Sequence, residues 1–208
     1  MKVPMILSLL LLLGLIPLIT VMTRGAGQES AAGRMEKATF AGGCFWCLEH
    51  DFDRLEGVAS VTSGYTGGQE KSPTYEDVSA GHTGHAESIQ VVYDPAKITY
   101  AKLLDLFWHH IDPTTPNRQF CDVGSQYRSA IFYHNEEQRK LAEESKKALE
   151  QSKRFAGKIV TEITPASEFT PAEDYHQGYY KKNPVRYRYY RFGCGRDQRL
   201  RELWGKKN

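Results

Sequence analysis

Between residues 34 and 208, short apolar runs of strand type alternate with stretches whose apolar residues recur every three or four positions. That alternation of period restricts the fold more than any other feature. The run Ala38 to Ala41 ends in Gly42-Gly43, after which Leu48, Phe52 and Leu55 recur at helical spacing until Gly57. Val58 to Ser63 is expected as a second strand closed by the turn GYTGG, and the polar stretch SPTYEDVSAGHTGHAE is expected to be irregular before a strand from Ala86 to Tyr93. Thr99 can cap a helix lined by Leu103, Leu104, Phe107, Trp108 and Ile111, which Asp112-Pro113 stops. The loop PTTPNRQFCDVGSQ leads to a strand from Tyr127 to Tyr133, and Asn135 opens the longest helix, reaching Phe155. A further strand is expected over Lys158 to Ile163. The segment from Thr164 to Gly195 reads as Tyr-rich and irregular, with one helix near Ala172 to Lys181, and DQRLRELWG as a short terminal helix. Interleaved strands and helices favour α/β or α+β packing in two layers over an all-α or all-β domain.

The N-terminus is of another kind. Lys2 precedes nineteen uncharged residues, Pro4 to Met22, and then the small, polar stretch TRGAGQESAAG. This is the layout of a secretory signal or an uncleaved membrane anchor, so residues 1–33 are set apart and 34–208 are expected to form one domain. The expected location is exported, in the periplasm or cell envelope, with membrane contact only through that leader. Without Lys2, Arg24 and Glu29, the remaining residues carry 25 basic and 24 acidic side chains. Such a balance gives no overall electrostatic pull toward nucleic acid. Arginines and aromatics do alternate in RYRYYRFGCG, a pattern that suits single strands, but near-neutrality and export argue against that use.

Four cysteines, at 44, 47, 121 and 194, are too few and too unevenly placed for a disulfide scaffold, and in an exported chain they suit reversible chemistry or a single bridge. Cys44 and Cys47 flank Phe45-Trp46 where a strand turns into a helix. Backbone N–H groups at a helix start favour an anion there, which predicts a lowered pKa and a nucleophilic thiolate at Cys44. Glu87 shares the apolar face of its strand with Ile89, Val91 and Tyr93; buried, such a carboxyl has a raised pKa and can donate a proton at neutral pH. Tyr75 and Tyr127 can supply O–H donors to a reducible oxygen. A zinc reading joins Cys44 and Cys47 to His82 and His85, yet it sets two large aromatics inside the knuckle. A third reading makes Cys44-Cys47 the dithiol of a thiol-disulfide oxidoreductase.

Five motifs in order, GCFWC (43–47), SGYTGG (63–68), PTYEDV (73–78), TGHAE (83–87) and FCDVGSQYRSAIF (120–132), resemble the type A peptide methionine sulfoxide reductases from about Lys37 to Trp204. The resemblance implies an α+β two-layer sandwich around a mixed sheet with ferredoxin-like βαβ topology, here with an irregular C-terminal segment. It implies Cys44 as nucleophile, Glu87 as the acid protonating the sulfoxide oxygen, Tyr75 and Tyr127 as donors to that oxygen, Asp122 as an ordering residue, and Phe45 and Trp46 as the wall for the S-methyl group. Implied too are reduction of methionine-S-sulfoxide, free or in oxidised proteins, recycling by a thioredoxin-like reductant, and no metal or organic cofactor. Position 47, often Gly in the family, is Cys here. A relay is therefore expected, in which Cys47 attacks the sulfenic acid of Cys44 and Cys194, between two glycines, then takes over Cys47, while Cys121 serves packing.

Overall fold

The computed structural model describes residues 33–205 together with Met1. The expected leader run, Pro4 to Met22, lies outside the described residues. Among those described, no helix is long and apolar enough to cross a membrane.

Strand β1 (Glu36–Gly42) leads into helix α1 (Phe45–Phe52) and returns as β2 (Val58–Thr66). A one-turn helix, α2 (Tyr75–Ser79), precedes β3 (Ala86–Tyr93), and α3 (Tyr100–His109) follows it. Then come a small hairpin, β4 (Arg118–Gln119) and β5 (Asp122–Val123), and a 3₁₀ turn over Ser125–Tyr127. They are followed by β6 (Ser129–Tyr133), α4 (Glu136–Gln151), β7 (Glu162–Pro165) and β8 (Thr170–Pro171). The chain closes with α5 (Tyr179–Lys182), α6 (Pro184–Gly193) and α7 (Arg196–Trp204).

The sheet order is β7-β6-β1-β3-β2-β8. β1 runs antiparallel to β3 and β6, β3 antiparallel to β2, and β7 parallel to β6. The inner four strands thus follow the ferredoxin-like order, with α1 joining β1 to β2 and α3 leading from β3 toward β6, and β7 and β8 extend the two edges. α1 packs on β2 and β3, α3 on β1, and α4 on β6 and β7. Period two along the strands creates one shared apolar face: Phe40 stands opposite Ile89 and Ile131, and Ala38 opposite Val91. These meet Leu48, Phe52, Leu103, Leu104 and Phe107 in the main core. Thr99 and Asn135 cap α3 and α4 as their side chains accept from Lys102 N–H and Gln138 N–H.

Several expected boundaries shift, for local reasons. Gly64 to Thr66 do not turn but extend β2, where a Cβ on Gly64 would lie 2.4 Å from the Thr170 carbonyl of β8; the turn begins at Gly67. The stretch expected to be irregular contains α2, held by a capping box in which Thr74 and Asp77 satisfy each other's backbone N–H groups. β6 begins at Ser129 rather than Tyr127, and β7 spans Glu162–Pro165 rather than Lys158 to Ile163. α4 ends at Gln151 rather than Phe155, with Lys153 at φ 52° turning the chain away. The C-terminal segment expected to be irregular is largely helical: RYRYYRFG lies in α6, and the helix foreseen near Ala172 to Lys181 is reduced to α5. Pro184 at the first turn of α6 starts that helix, where its missing N–H costs nothing.

Candidate active site

The site grows from the β1–α1 junction. Gly42 sits where a Cβ would lie 2.5 Å from Ile111, and Gly43 has φ 80° with its own Cβ position 2.5 Å from Gln119. Only glycine lets the strand close this tightly on the helix, and Arg196 of α7 secures the turn by donating to the carbonyls of His110 (2.7 Å) and Gly42 (3.4 Å). Cys44 is the N-cap residue of α1 and is buried. The next N–H, that of Phe45, donates to Glu87 Oε2 at 3.1 Å. Glu87 projects from the core face of β3 opposite Tyr65 and is 2 % exposed. Burial pushes its carboxyl up to about 8, against the opposing effect of the Phe45 N–H, with the charges of Asp122 and Cys47 pushing the same way.

Asp122, on β5, is brought to the same place. Burial raises its pKa also, while the Tyr190 hydroxyl donates to its Oδ2 at 2.6 Å. The Tyr75 phenol is held up at about 12 by burial and by the nearby Glu87 and Cys44 groups. Tyr127 is raised by burial and by Glu87, Asp122, Tyr75 and Cys44. Cys44, Glu87, Asp122, Tyr75 and Tyr127 thus lie close enough for their charges to act on one another.

The two thiols depart from expectation. Cys44 was expected to have a lowered pKa, but burial pushes it well up, and contact with Cys47 and the charges of Glu87 and Asp122 add to this. The helix-start N–H that would favour a thiolate is occupied by Glu87. Cys47 is the thiol held down, by the hydrogen bond from Cys44 and then by the guanidinium groups of Arg196 and Arg191, despite its burial. Behind it Arg191 spans Asp51 (3.0 Å) and Asp197 (2.7 Å).

Cys121 departs further. Expected as packing, it is bonded to Cys194, with Cα atoms 4.9 Å apart, while Cys44 and Cys47 are free. The hairpin of β4 and β5 carries Cys121 to the C-cap of α6, a proximity across 73 residues that no local pattern announces.

The pocket wall contains residues the sequence did not single out. Trp46 donates its indole N–H to His176 Nδ1 at 3.0 Å and stacks on Tyr179, rings 3.8 Å apart and 6° from parallel. The imidazole of His176 lies 5.0 Å from the Phe45 ring and 4.4 Å from that of Tyr75. Glu173 accepts from Tyr65 Oη and Tyr75 N–H, both at 2.8 Å. The signal was the density of Tyr, His and Glu over residues 173–190 with no core periodicity, but it does not say which ring meets which. The zinc set is not assembled: His85 accepts from Gly68 N–H at Nδ1 and donates to the Glu70 carbonyl from Nε2, holding a loop. Among the described residues the one metal-type cluster is Cys121, Asp122 and Cys194, whose sulfurs are bonded to each other.

Comparison with known proteins shows the family and the fold. The family model described as "Peptide methionine sulfoxide reductase" matches residues 36–208. A relative in Bacillus licheniformis, "Peptide methionine sulfoxide reductase MsrA", is 54 % identical over 177 residues, covering 85 % of this chain and 98 % of its own. Among solved structures, reduced Mxr1 from Saccharomyces cerevisiae aligns with a TM-score of 0.69 and 36 % identity, over 73 % of this chain and 87 % of that one. Mxr1 has also been solved in complex with Trx2; that chain aligns at a TM-score of 0.50 and 30 % identity, over 70 % of this chain and 85 % of its own. With five motifs and the fold in agreement, the chain belongs to the peptide methionine sulfoxide reductase family, in its type A branch.

Proposed function

We propose that, in reducing methionine-S-sulfoxide in peptides or as the free amino acid, Cys44 attacks the sulfoxide sulfur and Glu87 delivers the proton to its oxygen. One observation carries this reading: a buried carboxyl with a pKa of about 8 is hydrogen-bonded to the N–H of the residue that follows Cys44. At neutral pH Glu87 is protonated and beside the thiol. Attack on sulfur pushes charge onto oxygen, and a positioned acid there is worth about 10²–10⁴ in rate. Tyr75 and Tyr127 donate to the same oxygen, Asp122 orders the site, and Phe45 and Trp46, braced by His176 and Tyr179, hold the S-methyl group. Cys44 must lose its proton to attack, and it donates a hydrogen bond to Cys47, whose own pKa is lowered by that bond and by Arg196 and Arg191.

The products are methionine and a Cys44 sulfenic acid. Cys47 then attacks the sulfenic sulfur, forming Cys44–Cys47 and releasing water. Cys194 continues the relay, and a thioredoxin-like dithiol restores the thiols, as the solved pairing of a relative with Trx2 suggests for this chain. The burial of both Cys44 and Cys47 tells against direct exchange with protein disulfides, the work of a thiol-disulfide oxidoreductase. Export through the leader accords with the Cys121–Cys194 bridge, because disulfides persist in oxidising compartments. An alkaline phosphatase fusion at Arg34 is expected to be active in a bacterial host, and an inactive fusion would remove the export reading.

The test of the reaction is a single turnover without reductant, supplying the S and R epimers of methionine sulfoxide separately. The S epimer is expected to yield methionine with loss of two free thiols per chain. Thiol loss without methionine, or equal use of both epimers, would refute the assignment.

A further inference from the structure

Cys121, Asp122 and Cys194 bring two sulfurs and a carboxylate together near the surface. Each offers one ligand atom, and these atoms lie within 4.8 Å of one another. Among the described residues Cys44 and Cys47 form no such group with a third ligand. Asp122 Oδ1 is 3.6 Å from Cys121 Sγ, and its Oδ2 is 3.9 Å from Cys194 Sγ. Zinc binds thiolate sulfur at about 2.3 Å and carboxylate oxygen at about 2.0–2.2 Å, so neighbouring S and O corners of its tetrahedron stand about 3.5–3.7 Å apart. The carboxylate is thus close to a ligand's distance from both sulfurs.

The surroundings suit that use. The Tyr190 hydroxyl donates to Asp122 Oδ2 at 2.6 Å, and Cys121 N–H donates to Cys194 Sγ at 3.2 Å, so two of the three ligand groups have an outer partner that orients them. Cys121 is exposed while Asp122 and Cys194 are half-buried, which leaves a path for an ion and a fourth position for water. No atom lies within 4 Å of a Cβ built on Gly193 or Gly195, so Cys194 has room to shift when its bond to Cys121 opens. Two thiolates and a carboxylate carry three negative charges. A divalent cation cancels two of them, and the Arg196 guanidinium, whose charge acts on Asp122, offsets the third.

The geometry points to a redox-gated metal site: once the Cys121–Cys194 bond is reduced, Cys121, Cys194 and Asp122 bind a thiophilic divalent cation of the zinc class, with water as fourth ligand. This goes beyond the reductase reading and does not depend on it. A dithiol or a phosphine supplies the two electrons that open the bond, and the two resulting thiols give their protons to solvent as their sulfurs bind the metal. When a small-molecule disulfide takes those two electrons back, the bond re-forms, two of the three ligands are lost and the ion is released. Paired sulfurs select zinc over magnesium or calcium, which take oxygen ligands.

The test uses the full chain, reduced with a phosphine, desalted without oxygen and titrated with Zn²⁺ in competition with a chromogenic chelator. Co²⁺ serves as the spectroscopic probe. The reduced protein is expected to bind one equivalent and, with Co²⁺, to show thiolate charge-transfer absorption, whereas the oxidised protein is expected to bind none. Tyr190→Phe keeps all three ligands and removes only an outer partner, and it is expected to weaken binding by about 10–100-fold. Asp122→Asn is expected to weaken it by at least as much, with the cysteines intact. Cys44→Ser/Cys47→Ser is expected to bind as the wild type does. A reduced chain that binds no metal overturns the site, as does equal binding by the oxidised chain or full affinity in either Asp122→Asn or Tyr190→Phe. Loss of binding in a folded Cys44→Ser/Cys47→Ser protein would transfer the metal to the buried pair and overturn it equally.

Discussion

Cys44 and Cys47 are separated by two residues, buried within one helical turn, and reduced; Cys121 and Cys194 are 73 residues apart, reach the surface, and are joined. The first pair is shaped by what surrounds it: burial and the nearby Glu87 carboxyl raise the pKa of Cys44, while the hydrogen bond from Cys44 and two guanidinium groups lower that of Cys47. The second pair is shaped by access, at the end of a helix whose outer face is apolar and open. Burial suits the chemical step, since it keeps Glu87 protonated and shields the sulfenic acid, but it also bars a protein reductant. Exposure suits recycling and would spoil the acid. Dividing the two tasks between two sites lets each have the environment it needs.

The sharpest way to break that division is Cys44→Ser. Methionine formation in the first turnover is expected to fall to the level of a protein-free control, since a hydroxyl is a far weaker nucleophile than a thiolate. If a first turnover persisted, the chemistry would not belong to the buried pair.

Glu87→Gln keeps the shape and the acceptor for Phe45 N–H but has no proton to give. Its kcat/KM is expected to drop by about 10²–10⁴ at pH 7. In the wild type the protonated form is the active one, so the rate should decline as pH rises through about 8, and this limb should vanish in the variant. Stability is expected to move the other way. A carboxyl whose folded pKa of about 8 exceeds its unfolded value of 4.5 leaves the fold progressively less stable as pH rises between those values. Relative to wild type the variant gains about 3 kcal/mol by pH 7, at roughly 1.4 kcal/mol per unit, and little at pH 4. Thermal melts of both proteins across that range check the sign, and parallel melts at every pH would mean Glu87 is not held protonated.

Tyr75→Phe and Tyr127→Phe each remove one donor to the sulfoxide oxygen. Each is expected to lower kcat/KM by about tenfold, the worth of roughly one hydrogen bond of 1–1.5 kcal/mol. A larger loss from either than from Glu87→Gln would transfer the acid role to a phenol.

Cys121→Ser addresses the other half of the comparison and is expected to affect folding stability. Opening a closed loop of 73 residues frees the unfolded chain by roughly 2–4 kcal/mol, or about 5–10 °C in melting temperature. Adding dithiothreitol to the wild type should reproduce that shift, and a wild-type melt insensitive to reductant would show that the bridge does not tie the native fold together.

Much of this protein was legible in local pattern. The strand–glycine–helix order at Ala38 to Phe52 placed Cys44 at a helix start, and period two along Ala86 to Tyr93 placed Glu87 on the core face, because both depend on backbone geometry over a few residues. The expected caps at Thr99 and Asn135 and the terminal helix were equally local. The short helix α2 was missed although its capping box was present in the sequence, since five residues carry too little periodicity to register. α6 was missed because its aromatics face both inward and outward, leaving no single apolar stripe.

By itself the sequence determined which residues could do chemistry and which way their elements point: a thiol at the mouth of a helix, an acid on an apolar strand face, and aromatics beside them. Only the tertiary structure decided how those groups behave. The Phe45 N–H went to Glu87 rather than to Cys44, and Arg191 and Arg196, about 150 residues away along the chain, settled beside Cys47 instead. Cys121 met Cys194, and His176 and Tyr179 closed on Trp46. The physical reason is range: secondary structure follows from contacts within a few residues, whereas a pKa or a disulfide depends on burial and on charges that arrive from distant parts of the chain.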